Sequence, residues 1–153
     1  MKTIRELLKA KGDGPIYSVK PDDTVFDAVT RMVEHKVGAM LVKEGPNIAG
    51  IVTERDYLRF ITVRGRTARD TPVREIMTPR VIYVTPDTDL NEVMAIMTAQ
   101  RIRHVPVMDN DTLLGIISIG DVVKQVTKDQ KIQIRTLEEY ISDSYPGPAR
   151  PLD

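Results

Sequence analysis

The feature that most constrains this chain is an internal repeat. Val19-Lys20-Pro21-Asp22 returns as Val84-Thr85-Pro86-Asp87, an offset of 65 residues. At the same spacing Met32 falls on Met97, Val42 on Val107, Gly50 on Gly115, Ile51 on Ile116 and Asp56 on Asp121. Conservative matches fill the intervals: Asp27 with Glu92, Lys36 with Arg101, Val37 with Ile102, Thr53 with Ser118. No gap is needed from Val19 to Tyr57, so one supersecondary unit is encoded twice, each copy too small to bury its apolar surface alone. The opening segments Ile4-Arg5-Glu6-Leu7 and Val73-Arg74-Glu75-Ile76 also match, at an offset of 69, which gives the first repeat a longer loop over 11–15.

Each half reads as strand, helix, strand, strand, helix behind a short helical lead. Strands are expected at 16–19 and 82–84, before the Pro-Asp turns. Thr24-x-x-Asp27 and Asp89-x-x-Glu92 pair a capping side chain with an acid three residues on, which starts a helix. Val25, Ala28, Val29, Met32 and Val33 then form one helical stripe, repeated by Leu90, Val93, Met94 and Met97. Two apolar runs follow in each half, 39–42 with 48–53 and 105–108 with 113–118, separated by hairpin turns at Gly45-Pro46-Asn47 and Asp109-Asn110-Asp111. Closing helices are expected near 54–63 and 119–126. Strands 48–52 and 113–117 are apolar on both faces, so both faces need cover, and pseudo-twofold packing of the repeats supplies it. Leftover apolar helix faces would pair with a second chain. The divisions expected are 1–66, 67–128 and a C-terminal helical extension over 129–153. In that extension Ile132, Ile134, Leu137, Tyr140 and Ile141 lie among charges, Tyr145-Pro146-Gly147-Pro148 ends regular structure, and the last residues fray.

Composition excludes several functions. The chain has 153 residues, 41% hydrophobic, enough for a core. Without cysteine it has no disulfide, no thiol nucleophile and no thiolate metal site, and two histidines are too few for a His-rich zinc site. Lys+Arg and Asp+Glu balance at 22 each, against the basic surface a general nucleic-acid binder requires. No apolar run reaches the roughly 18–20 residues of a membrane span, and the first residues lack a secretory signal. A soluble intracellular protein is the expectation.

The chemistry concentrates at Gly50-Ile51-Val52-Thr53-Glu54-Arg55-Asp56 and Gly115-Ile116-Ile117-Ser118-Ile119-Gly120-Asp121. A buried strand ends in Thr or Ser, a helix begins, and Asp follows three residues on. Thr53 and Ser118 cap, while Asp56 and Asp121 favour the helix dipole. The same junction leaves backbone N–H groups beside a positive dipole end, where phosphate binds readily. A hydroxyl and a carboxylate add a phosphate donor and a ribose-diol acceptor, so the same residues can cap and bind.

At these residues the chain resembles the CBS-domain pair, or Bateman module. The resemblance runs from about Ile4 to about Val126 and rests on the duplicated Gly-hydrophobic-hydrophobic-Ser/Thr-x-x-Asp segments and on Ile102-Arg103-His104-Val105-Pro106-Val107. The linker, including Arg64-Gly65-Arg66-Thr67, is similar to that of small stand-alone pairs from bacteria and plant organelles. The resemblance implies an α/β (α+β) fold of two βαββα repeats packed with pseudo-twofold symmetry. It also implies a homodimer that binds AMP first, or ATP, ADP, NAD(H) or S-adenosylmethionine, in clefts between repeats, with no metal required. Carried over by motif, Asp56 and Asp121 hold ribose and Thr53 and Ser118 approach phosphate. Thr85 contacts the nucleotide, with Lys20 in its place in the first repeat. Val37, Gly38 and Ala39 line one pocket, and Ile102, Arg103 and His104 the other, followed by Pro106. The fuller polar set is Thr85, Arg103, His104, Ser118 and Asp121, against Lys20, Gly38, Thr53, Arg55 and Asp56. The Ser118–Asp121 cleft is therefore expected to have the higher occupancy.

The implied function is a regulatory sensor acting on an unidentified client protein, located in the cytoplasm, or in a mitochondrion or plastid after processing. The alternatives are a nucleotide-dependent enzyme, for which no activated nucleophile or phosphate-binding loop is found, and RNA or DNA binding through the arginine-rich 59–80 stretch. Arg64, Arg66 and Arg69 serve there either as a solvated connector or as charge near a cleft mouth. His35 is expected on a solvated helix end, and the methionine stripe in the core.

Overall fold

The computed structural model describes residues 2–12, 14–63 and 65–142. Arg64, the expected stop at 145–148 and the frayed end lie outside the described residues, as do the side chains of Ile132, Tyr140 and Ile141. In the first repeat, helix α1 (Ile4–Lys11) leads to strand β1 (Ser18–Val19), helix α2 (Val25–His35), strands β2 (Ala39–Glu44) and β3 (Asn47–Thr53), and helix α3 (Glu54–Phe60). In the second, a 3₁₀ turn (Val73–Glu75) leads to helix α4 (Leu90–Gln100), strands β4 (His104–Asp109) and β5 (Thr112–Ser118), and helix α5 (Ile119–Ser142).

The repeat governs the geometry in detail. Val19 pairs in parallel with Val42, and Val84 in parallel with Val107. Each antiparallel hairpin shifts register at the same place, between Val42 and Lys43 and between Val107 and Met108. The Thr24 side chain accepts from the Asp27 N–H at 3.1 Å, and Asp89 caps α4 by accepting from the Asn91 N–H at 2.7 Å. Both helices stop at a left-handed residue, Lys36 (φ 54°) and Arg101 (φ 56°), which turns the chain into the next strand. Two-residue turns at Gly45-Pro46 and Asn110-Asp111 close the hairpins, with Gly45 and Asn110 at positive φ.

Four expectations need correction. The strand expected at 16–19 is confined to Ser18–Val19, and that at 82–84 shrinks to a single bridge at Val84. Ile16 and Tyr17 face a cleft instead of a ladder, while Ile82 and Tyr83 are exposed. The second lead forms only a 3₁₀ turn, and α3 ends at Phe60, short of 63. The last helix runs unbroken to Ser142, because no Gly or Pro interrupts 121–142.

Two cores and a seam hold the halves. One core joins Ile4 and Leu7 of α1 to Val93, Val105, Val107, Ile117 and Val122. The other joins Val73 to Ala28, Met40, Val42 and Val52. Each lead segment therefore packs on the opposite repeat. The seam brings Ala39, Leu41 and Ile51 against Leu113 and Ile116, covering the second face of each hairpin as the two-sided apolar strands required.

Candidate functional site

Both strand-to-helix junctions form as capping boxes. The Thr53 N–H donates to Asp56 Oδ2 at 2.8 Å, and the Asp56 N–H returns to Thr53 Oγ1 at 3.3 Å. The Ser118 N–H donates to Asp121 Oδ2 at 2.9 Å, and the Asp121 N–H to Ser118 Oγ at 3.1 Å. The carboxylates thus orient the N-termini of α3 and α5.

Around Ser118 the repeats enclose a cleft of about 280 Å³. Val37, Gly38 and Ala39 form one wall, Ile16 and Tyr17 another, and His104, Ile116 and Ser118 the third. Gly38 serves both junctions: its carbonyl takes the Glu54 N–H beside Thr53, and with Val37 and Ala39 it lines the Ser118 cleft. Gly38 lets the Glu54 and His104 side chains approach closely there. A Cβ at this position would overlap Glu54 Oε1 and sit 3.2 Å from His104 Cε1. Burial, the largest influence, lowers the pKa of His104 below its ordinary 6.5, and Lys11 and Arg103 reinforce this against Glu54 and Asp121. The imidazole is accordingly neutral at pH 7.

Lys11 reaches into this cleft from the end of α1. Its Nζ lies 2.8 Å from the Ile116 carbonyl and 2.9 Å from Asp121 Oδ2. Burial pushes the Asp121 carboxyl up, but the Lys11 ammonium and the Ser118 donors together outweigh it and hold it below the usual 3.8. The motif reading missed Lys11, Ile16 and Tyr17. The change of offset from 65 to 69 shows a longer loop there, but nothing in it announces a cleft.

The other half differs. Asp56 borders a more open cavity of about 360 Å³ with Arg59, Arg66, Glu75 and Thr78. The linker closes over β3 there, as Ile51 and Thr78 exchange backbone hydrogen bonds of 3.0 and 2.8 Å. Of the linker arginines, Arg66 pairs with Glu75, while Arg69 stacks its guanidinium 3.8 Å above the Phe26 ring. The exposed His35 ring stacks on Tyr17 at 3.8 Å.

Several expected residues stand elsewhere. The Lys20 N–H donates to Asp23 and the Thr85 N–H to Thr88, in turns; Thr85 does not line the Ser118 cleft, nor Lys20 the cavity beside Asp56. Arg55 donates to the Arg101 carbonyl at 3.4 Å, Ile102 packs on the core that holds Ile4 and Val105, and Pro106 is buried within β4. Arg103 is exposed beside His104, and its carbonyl takes the Ile119 N–H. Among the described residues no group of three or more His, Asp or Glu could hold a metal ion, and no helix is long and apolar enough to cross a membrane.

Comparison with known proteins agrees with this geometry. The CBS domain family matches residues 3–63 and 73–128. The chain is 44% identical over 151 residues to the mitochondrial CBS domain-containing protein CBSX3 of Arabidopsis thaliana, covering 94% of this chain and 73% of that protein. It superposes with a TM-score of 0.81 on a CBS-domain protein of Burkholderia ambifaria MC40-6, at 50% identity over 84% of this chain and 96% of the other. The fold is shared, at 20% identity and a TM-score of 0.73, by the CBS domain pair of protein MJ0100, solved with 5′-methylthioadenosine and S-adenosyl-L-methionine; 84% of this chain and 98% of that one are covered. Twofold recurrence of the unit, its hairpins packed along one seam, and the family match over both halves make this chain a member of the CBS-domain family, built as a tandem pair.

Proposed function

We propose that the chain is a regulatory module that binds an adenine nucleotide in the Ser118 cleft and transmits its occupancy to a partner protein. The observation that carries this reading is the cleft itself. Apolar walls suited to a planar base adjoin the start of α5, where the Ser118 hydroxyl lines the cleft and the Asp121 carboxylate accepts from the Ser118 N–H behind it. Ser118 and the α5 N-terminus would meet phosphate, and Asp121 the ribose hydroxyls. AMP is the first candidate, ahead of ATP, ADP, NAD(H) and S-adenosylmethionine, and the ligands of the MJ0100 domain pair support an adenosyl compound. Sensing works by linkage: a ligand shifts the module only as far as its affinities for two arrangements differ. We assign no catalytic residue, and we propose a homodimer as the working form. We place it in the cytoplasm, with a mitochondrial location, as in the Arabidopsis relative, as the alternative.

Thermal melting with AMP, ATP, NAD(H), S-adenosylmethionine and a short RNA tests the reading. Ligand at about 100 times its dissociation constant should stabilise by about 2.7 kcal/mol. The gain should vanish in Asp121→Ala and persist in Asp56→Ala, each judged against its own ligand-free melt. No gain with any adenosyl compound sinks the sensor reading, and a gain that survives both substitutions removes the site.

A further inference from the structure

The cation in the Ser118 cleft has a counterpart that explains it. Ile51 matches Ile116 across the repeat, and its carbonyl accepts from the Thr78 backbone N–H at 2.8 Å. The Ile116 carbonyl accepts instead from Lys11 Nζ at 2.8 Å. A main-chain strap therefore closes one half, and a side chain occupies the same position in the other. The strap leaves only if the linker moves, whereas a lysine leaves by rotating about its own bonds. Its base is fixed, because Ile4 and Leu7 bury α1 against Val93, Val105 and Val122 of the second repeat, and the Gly12 N–H closes the helix on the Leu8 carbonyl at 3.1 Å.

Among the described residues lining this cleft, Lys11 is the one Lys or Arg, and no Asp or Glu joins it. The rest of the described lining is glycine, proline and aliphatic carbon, apart from Ser118, the phenol of Tyr17 and the imidazole of His104. Lys11 thus brings the ammonium, and Asp121, which it clamps at 2.9 Å, is the carboxylate it neutralises.

Resting on the adenine-nucleotide reading, we infer that Lys11 is the specificity-determining residue of this cleft, exchanging Asp121 for the ligand's phosphate and so selecting phosphate-bearing nucleosides over neutral ones. The exchange keeps charges paired. The ammonium passes from carboxylate to phosphate oxygens, and Asp121 is released to accept hydrogen bonds from the sugar hydroxyls. A neutral nucleoside must either bind against the intact pair or break it without supplying an anion, which leaves a half-buried charge unpaired.

Isothermal titration of the full chain with AMP, adenosine and 5′-methylthioadenosine tests this. The unaltered chain should bind AMP about tenfold or more tightly than either neutral compound, the range of one charge-assisted hydrogen bond. Lys11→Met should bring AMP down to the affinity of the neutral compounds while theirs holds or improves, and Lys11→Arg should keep the preference. Lys11→Gln, which retains a donor for the Ile116 carbonyl, repeats the measurement should the Met variant fold poorly. An AMP preference undiminished in both neutral variants overturns the assignment and leaves the nucleotide reading standing. Binding of none of the three compounds to the unaltered chain overturns both.

Discussion

Ile4 and Val73 hold matching places in the two repeats, and each is fully buried in the core of the other. The exchange extends to the backbone: the Ile4 N–H donates to the Thr88 carbonyl at 3.0 Å and the Val73 N–H to the Asp23 carbonyl at 2.8 Å. Arg5 pairs with Asp87, and Arg74 with Asp22, in the same relation. Each half completes the core of the other, so the halves should unfold together. Ile4→Ala should lower stability by about 2–5 kcal/mol, within the usual range for a buried Ile. Urea denaturation followed by circular dichroism should remain one transition with a lower midpoint. Two separated transitions would show that the exchanged leads do not couple the repeats.

Gly50 and Gly115 occupy the same position in the two hairpins but face different neighbours. A Cβ on Gly50 would lie 2.7 Å from both Met77 Sδ and the Thr78 carbonyl, and the backbone atom cannot yield without moving the linker. A Cβ on Gly115 would meet Leu8 Cδ2 at 3.2 Å, the tip of a side chain that can turn aside. Gly50→Ala should therefore cost about 1–3 kcal/mol, as overpacking does, and Gly115→Ala clearly less. Equal losses in thermal melting would show that the linker gives way as freely as Leu8.

The architecture was legible because hydrophobic spacing and capping residues act locally. Thr24, Asp89, Thr53 and Ser118 each cap the helix their position implied. What escaped the sequence depends on contacts between distant segments. Nothing near Val37 or Gly38 announces that the seam carries them to Ser118, and nothing near Lys11 announces a partner 110 residues away. Thr85 and Lys20 rest on motif alone; Thr85 does not line that cleft, nor Lys20 the cavity beside Asp56. Ile16 and Tyr17 have strand-like composition, yet find no ladder partner there, and become cleft wall.

Acidification should weaken the fold in two separate windows. His104 has a folded pKa below 6.5, so the unfolded chain takes up its proton first. Stability then falls as pH drops from about 6.5 toward the depressed folded value, below which the loss is constant. Asp121 likewise sits below 3.8, so its contribution is present above that pH and disappears as pH falls through the folded value. His104→Gln should flatten the upper window and Asp121→Asn the lower one, in urea midpoints measured from pH 8 to 3. An upper slope unchanged in His104→Gln would assign that titration to another group.

The outward faces of the helices carry the argument for a dimer. Val33 on α2 and Leu58 and Ile61 in and after α3 are 73%, 60% and 57% exposed, beside a groove lined by Val29, Met32 and Tyr57. The repeat reproduces part of this face, since Val123 on α5 matches Leu58 and is 55% exposed. Apolar side chains gathered in this way on both halves suit contact with a second copy, whose equivalent helices present the same face. Sedimentation equilibrium should give twice the 17.2 kDa chain mass. Leu58→Glu, which buries a charge at the contact, should return the single-chain mass with an unchanged far-ultraviolet spectrum, because Leu58 contributes little to the core. A single-chain mass for the unaltered protein at tens of micromolar would sink the dimer, and a Leu58→Glu chain that still doubles would move the contact to another face.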